Sequence, residues 1–256
     1  MTTATFKGSK VFVTGGTGLL GSHLTRQLVN SGAEVVALVR DSVPRSLFSS
    51  TAPDWDLQRK VVTVRGQIED FALIERTINE YEIDTVFHLA PQTIVGTANP
   101  SPLATFRANI EGTWNVLEAC PLHSARIKRV LIASSDKAYG NLHGDAYDET
   151  FPLRGEHPYD VSKSCTDLIA RTYFVTYRLP VAVTRCGNFF GPGDLNLNTI
   201  IPGSIRDVLE GRPPVIRDRV LQAMGRTNQA PVILNQASNE IPVQCLDSTK
   251  AKTVLQ

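Results

Sequence analysis

Three observations predict a doubly wound α/β fold, a parallel sheet with helices on both faces. Short apolar strand-like segments alternate with helical patterns along most of the 256 residues. One such run, Val11–Val13, ends in Gly15, Gly18 and Gly21 and feeds directly into a helical pattern. The composition, 42% hydrophobic and 20% charged, is enough to bury a sizeable core. Parallel strands need long crossovers, and the helices between these runs supply them in the right-handed sense.

The first strand, Val11–Val13, is three β-formers in a row, and a helix near Ser22–Ser31 follows it. Glu34–Val39 is the second strand. A polar, proline-containing loop then leads to the strand Val61–Val64 and a helix over Phe71–Tyr81. Asp84–Leu89 reads as the fourth strand, and Pro102–Cys120 as a helix with Ala104, Ala108, Val116 and Leu117 on its apolar faces. Arg129–Ala133 is the next strand, Tyr159–Tyr177 a long helix and Val181–Thr184 a sixth strand. Ligands of open α/β sheets bind outside the carboxyl ends of the strands. The glycine turn, Arg40, His88–Gln92 and Ser134–Lys137 should therefore converge there.

A buried strand that ends in a glycine-spaced turn and enters a helix is built to hold an anionic group. The free N–H groups and the dipole of the helix point at it. Glycines allow the tight turn and let a pyrophosphate approach the backbone without meeting a Cβ. The spacing is G-x-x-G-x-x-G, and a purely structural turn would look the same outside its strand–helix context. The end of the second strand, where an adenosine ribose is expected, offers Arg40 and then Asp41. An acidic residue there accepts from the 2′-OH of NAD, whereas an arginine accommodates the 2′-phosphate of NADP. The choice stays open.

Bulk properties exclude several classes. A net charge of +1 creates no strong field for nucleic acid or an anionic membrane. No apolar run approaches the ~18 residues of a transmembrane helix, and MTTATFKGSK lacks a signal peptide's apolar core. Cys120, Cys165, Cys186 and Cys245 are scattered as reduced cytosolic thiols would be, and the histidines form no H-E-x-x-H pair. A cytoplasmic protein without a metal site is expected.

Tyr159 and Lys163 stand four apart, on one face of a helix. An ammonium ~4–6 Å from a phenol lowers its pKa by ~1–3 units, toward use as a base near neutrality. Ser135, just beyond the strand Arg129–Ala133, is placed to hydrogen-bond the hydroxyl that Tyr159 deprotonates. Asp136 and Lys137 add an acid and a base that are costly to bury without a catalytic or ion-pair role. A polar turn capped by Ser and Asp would give the same local pattern.

Together the glycine turn, His88-Leu89-Ala90, Ser135, Tyr159/Lys163 and the run Arg185–Gly193 resemble the extended short-chain dehydrogenase/reductase family, from about Lys10 to Arg217. Within it, Ser-Ser-Asp-Lys-Ala-Tyr-Gly is similar to the nucleotide-sugar 4,6-dehydratases, the CDP-glucose type in particular. The resemblance implies a Rossmann domain over residues 1–185 and a small substrate lobe over 186–256. It implies NAD, or NADP because of Arg40, held by Gly15, Thr17, Gly18, Leu19, Leu20 and Arg40. Gln67, Ile68, Leu89, Ala90, Gln92, Tyr159 and Lys163 complete that implied set. Gln92, Ser135 and Asn188 are implied to contact a nucleotide-sugar.

The implied mechanism uses the nicotinamide as a hydride shuttle. Tyr159 takes the C4-OH proton, Ser135 orients the hydroxyl and Lys163 holds the cofactor ribose. Lys137 removes the C5 proton, as a neutral amine whose pKa is lowered by burial and by Lys163, while Asp136 protonates the departing C6 hydroxyl. The resemblance also implies a homodimer through a four-helix bundle of the helices Pro102–Cys120 and Tyr159–Tyr177, where Trp114 and Phe174 are among the apolar residues one sheet contact would leave uncovered.

Three departures from the family pattern stand out. Pro91 follows Ala90 where a second alanine is usual, and Gln67 replaces the acid near the adenine. After Val215-Ile216-Arg217 the sequence passes straight to Asp218–Met224, a helical pattern, so part of the substrate lobe is expected to be missing between 217 and 218. A 4-epimerase or reductase using the same Tyr159/Lys163 pair, or a silent NAD(P)-binding protein, are the alternatives. Asp136 and Lys137 separate the first of these from a dehydratase.

Overall fold

The computed structural model describes residues 6–52, 55–90, 98–120, 126–141 and 146–212, with 247, 249 and 250. These divide into two compact units. One holds the residues up to Gly187 together with 247, 249 and 250, and the other runs from Asn188 to Arg212. The segments Val215–Arg217 and Asp218–Met224, the 217–218 junction, Gln92 and Cys245 lie outside the described residues.

The first unit is a six-stranded, all-parallel sheet: β1 (Lys10–Thr14), β2 (Glu34–Val39), β3 (Val62–Arg65), β4 (Thr85–His88), β5 (Arg129–Ser135) and β6 (Val181–Cys186). Its spatial order is β3-β2-β1-β4-β5-β6, so the winding reverses beside β1. That switch point is where an open α/β sheet leaves a crevice for a ligand. Thr14 ends β1 opposite Leu38 of β2 and His88 of β4.

Side chains alternate across the sheet with period two. Phe12 joins Ile74, Ile78, Val116, Leu117 and Ala170 on one face, whereas Val11 and Val13 join Leu28 on the other. Those partners belong to α1 (Leu19–Asn30), α3 (Phe71–Glu80), α5 (Gly112–Ala119) and α6 (Pro158–Tyr177). Each fully buried large apolar side chain contributes about 1.5–3 kcal/mol, and Phe12→Ala removes about 3–5 kcal/mol.

The helix after the glycine turn starts at Leu19, earlier than Ser22, because Gly18 already caps it with extended backbone. β5 runs past Ala133 to Ser135, since Ser134 and Ser135 pair with Arg185 and Cys186 of β6. Ladder hydrogen bonds override their turn-like side chains. The helix expected over Pro102–Cys120 is α4 (Pro102–Phe106), a π turn over Arg107–Glu111, and α5. The loop after β2 contains a 3₁₀ turn, Leu47–Ser49, and the short helix α2 (Leu57–Lys60), with Phe48 and Leu57 buried against Ala37 and Val39. The second unit contains α7 (Ile200–Leu209), with Pro202 in its first turn, where a missing N–H costs little.

Candidate active site

The glycines of the first turn are glycine for three different reasons. Gly15 has φ +75°, and a Cβ there would lie 2.3 Å from the Leu89 carbonyl oxygen. Gly21 packs α1 onto the turn, with a Cβ landing 2.0 Å from the Gly15 carbonyl oxygen. Gly18 is exposed at φ −77°, and its Cβ would meet only the Gly15 oxygen, at 3.4 Å. Nothing among the described residues claims that volume, which is the cradle a pyrophosphate needs. The first turn of α1 carries no acidic residue and no side-chain cap, so its N–H groups are free for an anion. The residues present fit a dinucleotide.

Beside this turn, a cavity of about 400 Å³ is lined by Thr17, Val39, Asp41, Ser42, Phe48 and Arg65 among others. Ser46 donates to the carbonyl of Thr17, one of the lining residues, at 2.6 Å. Asp41 faces the cavity and pairs with Arg40, both well exposed. Gln67 is exposed, whereas Ile68 is buried in the core and its carbonyl accepts from Asn115. Leu89 and Ala90 lie against Gly15, Leu19 and Leu20 open α1, and Asn188 is an exposed residue of the second unit.

At the carboxyl end of β5 the acid–base residues come together. Ser135 Oγ donates to Asp136 Oδ1 at 3.0 Å and accepts from the Lys137 backbone N–H at 3.2 Å, capping a 3₁₀ turn over Asp136–Tyr139. Tyr159, 7% exposed, stands beside Ser135, whose hydroxyl acts on the phenol to favour its ionised form. Lys163, 2% exposed, donates to the Ala133 carbonyl at 2.7 Å, and its Nζ lies 5.9 Å from the Tyr159 ring centroid.

The electrostatics differ from the simple expectation for this pair. Burial pushes the Tyr159 phenol up to about 12; Ser135 pulls it back, and the Asp136 and Asp160 carboxylates push it up again. Burial also pushes Lys163 down to about 7. Desolvation outweighs the charge–charge attraction because both groups are almost wholly out of water. Asp136 is likewise raised, by burial first, with Ser135 and Lys137 opposing. A carboxyl held above its ordinary range is suited to donate a proton.

A buried polar chain, invisible in the sequence, ties the two ends of the site together. His88 is held by Thr14 Oγ1 at 2.8 Å and by Thr113 Oγ1 at 3.2 Å. Thr113 donates to the Asn109 carbonyl in the π turn, and Asn109 Nδ2 donates to Ser162 Oγ at 2.8 Å. Ser162 in turn donates to the Tyr159 carbonyl. Burial, with the Lys163 charge adding to it, lowers His88 to about 3. The π turn is the nearest thing to a signal for this chain, and its residues are ordinary helix formers.

Among the described residues no group of His, Cys, Asp and Glu is arranged to hold a metal, and no helix is long and apolar enough to cross a membrane. Fold and site together define an extended short-chain dehydrogenase/reductase. Residues 12–217 match the GDP-mannose 4,6 dehydratase family model, and the chain belongs to that family. It is 33% identical over 225 residues to a CDP-glucose 4,6-dehydratase of Salmonella typhimurium, covering 83% of this chain and 61% of that protein. A dTDP-glucose 4,6-dehydratase of Streptomyces venezuelae, solved with NAD bound, superposes with TM-score 0.67 at 30% identity, over 79% of this chain and 62% of that one. A UDP-glucose 4-epimerase of Thermotoga maritima shares the fold, with TM-score 0.82 at 21% identity over 95% and 91% of the two chains. The chain thus spans about three-fifths of the length of the dehydratases it matches.

Proposed function

We propose that this chain carries the active site of an NAD-dependent nucleotide-sugar 4,6-dehydratase, with a CDP-glucose-type substrate favoured. The observation that carries the reading is the half-buried turn Asp136-Lys137, hydrogen-bonded to Ser135 beside the Tyr159 phenol. An oxidation–reduction at C4 alone needs Tyr159, Lys163 and Ser135. The additional acid and base have a use only if water is eliminated. The named relatives at 30% identity or more are CDP- and dTDP-glucose 4,6-dehydratases, which supports the same reading.

In this reading the turn at Gly15 and Gly18 and the first residues of α1 hold the dinucleotide pyrophosphate, and Asp41 and Arg40 stand at its ribose. A bound oxidised nicotinamide would supply the hydride acceptor at the start of the cycle and the donor at its end, and its positive charge would favour the ionised phenol. Tyr159 accepts the C4-OH proton, with Ser135 orienting that hydroxyl and Lys163 holding the cofactor ribose. Once C4 is a ketone the C5 hydrogen is acidic. Lys137 takes it, and Asp136 gives its proton to the departing C6 hydroxyl, which leaves as water. Residues 1–185 would form the cofactor-binding part and 186–256 the substrate part, with Asn188 contacting the nucleotide-sugar.

Exposed apolar residues on α4, α5 and α6, with Leu103, Trp114, Leu168 and Phe174 foremost, support a homodimer through a four-helix bundle. Sedimentation of a Leu168→Glu variant as monomer beside dimeric parent is the expected result. A cytoplasmic location is in keeping with the scattered free thiols Cys120, Cys165 and Cys186.

The test is incubation with CDP-, dTDP-, UDP- and GDP-hexoses, followed by mass spectrometry for loss of water. A 4-keto-6-deoxy product from the parent, with loss of elimination but not of C4 oxidation in Asp136→Asn, supports the reading. Interconversion of C4 epimers without water loss overturns it in favour of a 4-epimerase.

A further inference from the structure

The proposed chemistry is carried by two separate pieces of chain. Tyr159 and Lys163 stand on α6, while Asp136 and Lys137 stand on the 3₁₀ turn after β5. One half-buried side chain bonds to both pieces. Arg185, on β6 beside Ser134, grips Asp167 of α6 with two parallel bonds, Nε to Oδ2 at 2.7 Å and Nη2 to Oδ1 at 3.0 Å. Its Nη1 donates to the Tyr139 hydroxyl at 3.0 Å and to the Glu149 carbonyl at 3.4 Å. The guanidinium carbon lies 5.0 Å from the Tyr139 ring centroid.

The positions of these partners matter. Asp167 is one helical turn beyond Lys163 and two beyond Tyr159, so the grip acts on the same stretch of α6 that bears the oxidation pair. Tyr139 is the last residue of the turn that Asp136 and Lys137 open, and it is 2% exposed, against Tyr147. Ser164 Oγ adds a second tie between α6 and this turn, donating to the Ala138 carbonyl at 2.9 Å. A part-buried ion pair is poor evidence of stability, because an apolar replacement would pack as well. What an apolar pair could not do is fix direction. A planar fork bonded on two sides sets the turn against the helix in one register.

We propose that Arg185 is a positioning residue that registers the acid–base turn, through Tyr139, against the oxidation helix, through Asp167, so that elimination follows oxidation on the same bound sugar. This rests on the dehydratase reading above. Tyr139→Phe is the discriminating variant, since it keeps the ring, its contact with Tyr147 and the Arg185–Asp167 pair, and removes only the hydroxyl that Arg185 holds. Arg185→Lys is the companion, retaining a cation without the fork.

The experiment is single-turnover mixing of the NAD-loaded protein with the nucleotide-sugar that the parent dehydrates. Reduced-nicotinamide absorbance reports oxidation, quenched mass spectrometry reports water loss, and thermal melting checks each fold. In Tyr139→Phe we expect the rise in absorbance within about 2-fold of parent, water loss slowed about 10-fold, and reduced cofactor accumulating between them. Arg185→Lys is expected to move in the same direction. Equal slowing of both phases, or no slowing of water loss in folded Tyr139→Phe, overturns the positioning role while leaving the dehydratase reading intact. A parent that dehydrates none of the four hexose classes overturns the reading and this proposal with it.

Discussion

The two ends of the candidate site are made from different materials. At the end of β1 the binding surface is backbone: Gly15, Gly18 and Gly21 contribute by what they lack, and the ligand-facing groups are peptide N–H donors of α1. At the end of β5 the surface is side chains, with Ser135, Tyr159, Lys163 and Asp136 all buried or half-buried, Ser135 bonded to Asp136 and Lys163 to the Ala133 carbonyl. A backbone site fails when something is added. A side-chain site fails when something is removed or its charge is wrong. The difference decides which substitutions separate folding from function at each end.

The largest effect is expected at the side-chain end. Tyr159→Phe deletes one oxygen from a ring that stays packed, so the fold and dinucleotide affinity should persist. Turnover should fall by about 10²–10⁴-fold, the range for losing a general acid–base group. Calorimetric titration of NAD alongside product assay checks both halves of that statement. A variant with parental turnover would remove Tyr159 from the chemistry.

At the backbone end, Gly21→Ala should act through stability rather than chemistry. The new methyl group would sit 2.0 Å from the Gly15 carbonyl oxygen, and neither backbone segment can yield without shifting α1 off the sheet. Overpacking of this kind costs about 1–3 kcal/mol or more, read as a lowered urea midpoint. An unchanged midpoint would mean the turn is softer than its contacts require.

The contrast in materials also explains what was legible. Glycine spacing after a β-run is a statement about backbone, and the turn, the strand alternation and the exposed apolar helices were all readable from it. Ser134 and Ser135 read as a turn because their side chains are polar, yet the ladder to Arg185 and Cys186 keeps them in β5. The π turn that brings Asn109 to Ser162 has no residue signature. Arg185, Asp167 and Tyr139 are far apart in sequence, and only the fold closes the distance. The spacing of Tyr159 and Lys163 places both on α6, but the sign of the phenol's shift depends on burial, which spacing does not report.

His88 sharpens the comparison because it belongs to neither end and braces both. It is buried and neutral, with its pKa lowered from 6.5 to about 3. As pH falls below 6.5 the unfolded chain takes up a proton that the folded one refuses, so stability is lost as the solution is acidified. Between pH 7 and 5 that loss amounts to about 2 kcal/mol from this residue alone. His88→Asn should be less stable at pH 7 but lose less on acidification, by about that difference, in urea unfolding at the two pH values. Parallel losses in both proteins would show that His88 accepts a proton without unfolding.

The smallest expected change in stability, and the sharpest separation of folding from binding, is at Gly18. Its φ of −77° and ψ of 173° are open to any residue, and a methyl group would meet only the Gly15 oxygen, at an ordinary 3.4 Å. Alanine is a poorer N-cap than glycine by some tenths of a kcal/mol. Its stiffer unfolded chain offsets this by about 0.4–1 kcal/mol. The unfolding midpoint of Gly18→Ala should therefore stay within about 0.5 kcal/mol of parent. Dinucleotide affinity should nevertheless fall, because the methyl group occupies the volume through which a pyrophosphate reaches the N–H groups of α1. Gly21→Ala should show the reverse order, stability lost first. Titration of NAD into both variants, with urea unfolding of each, gives four numbers. If Gly18→Ala binds NAD as tightly as parent, the pyrophosphate does not lie over Gly18, and the backbone cradle belongs to the fold rather than to the ligand.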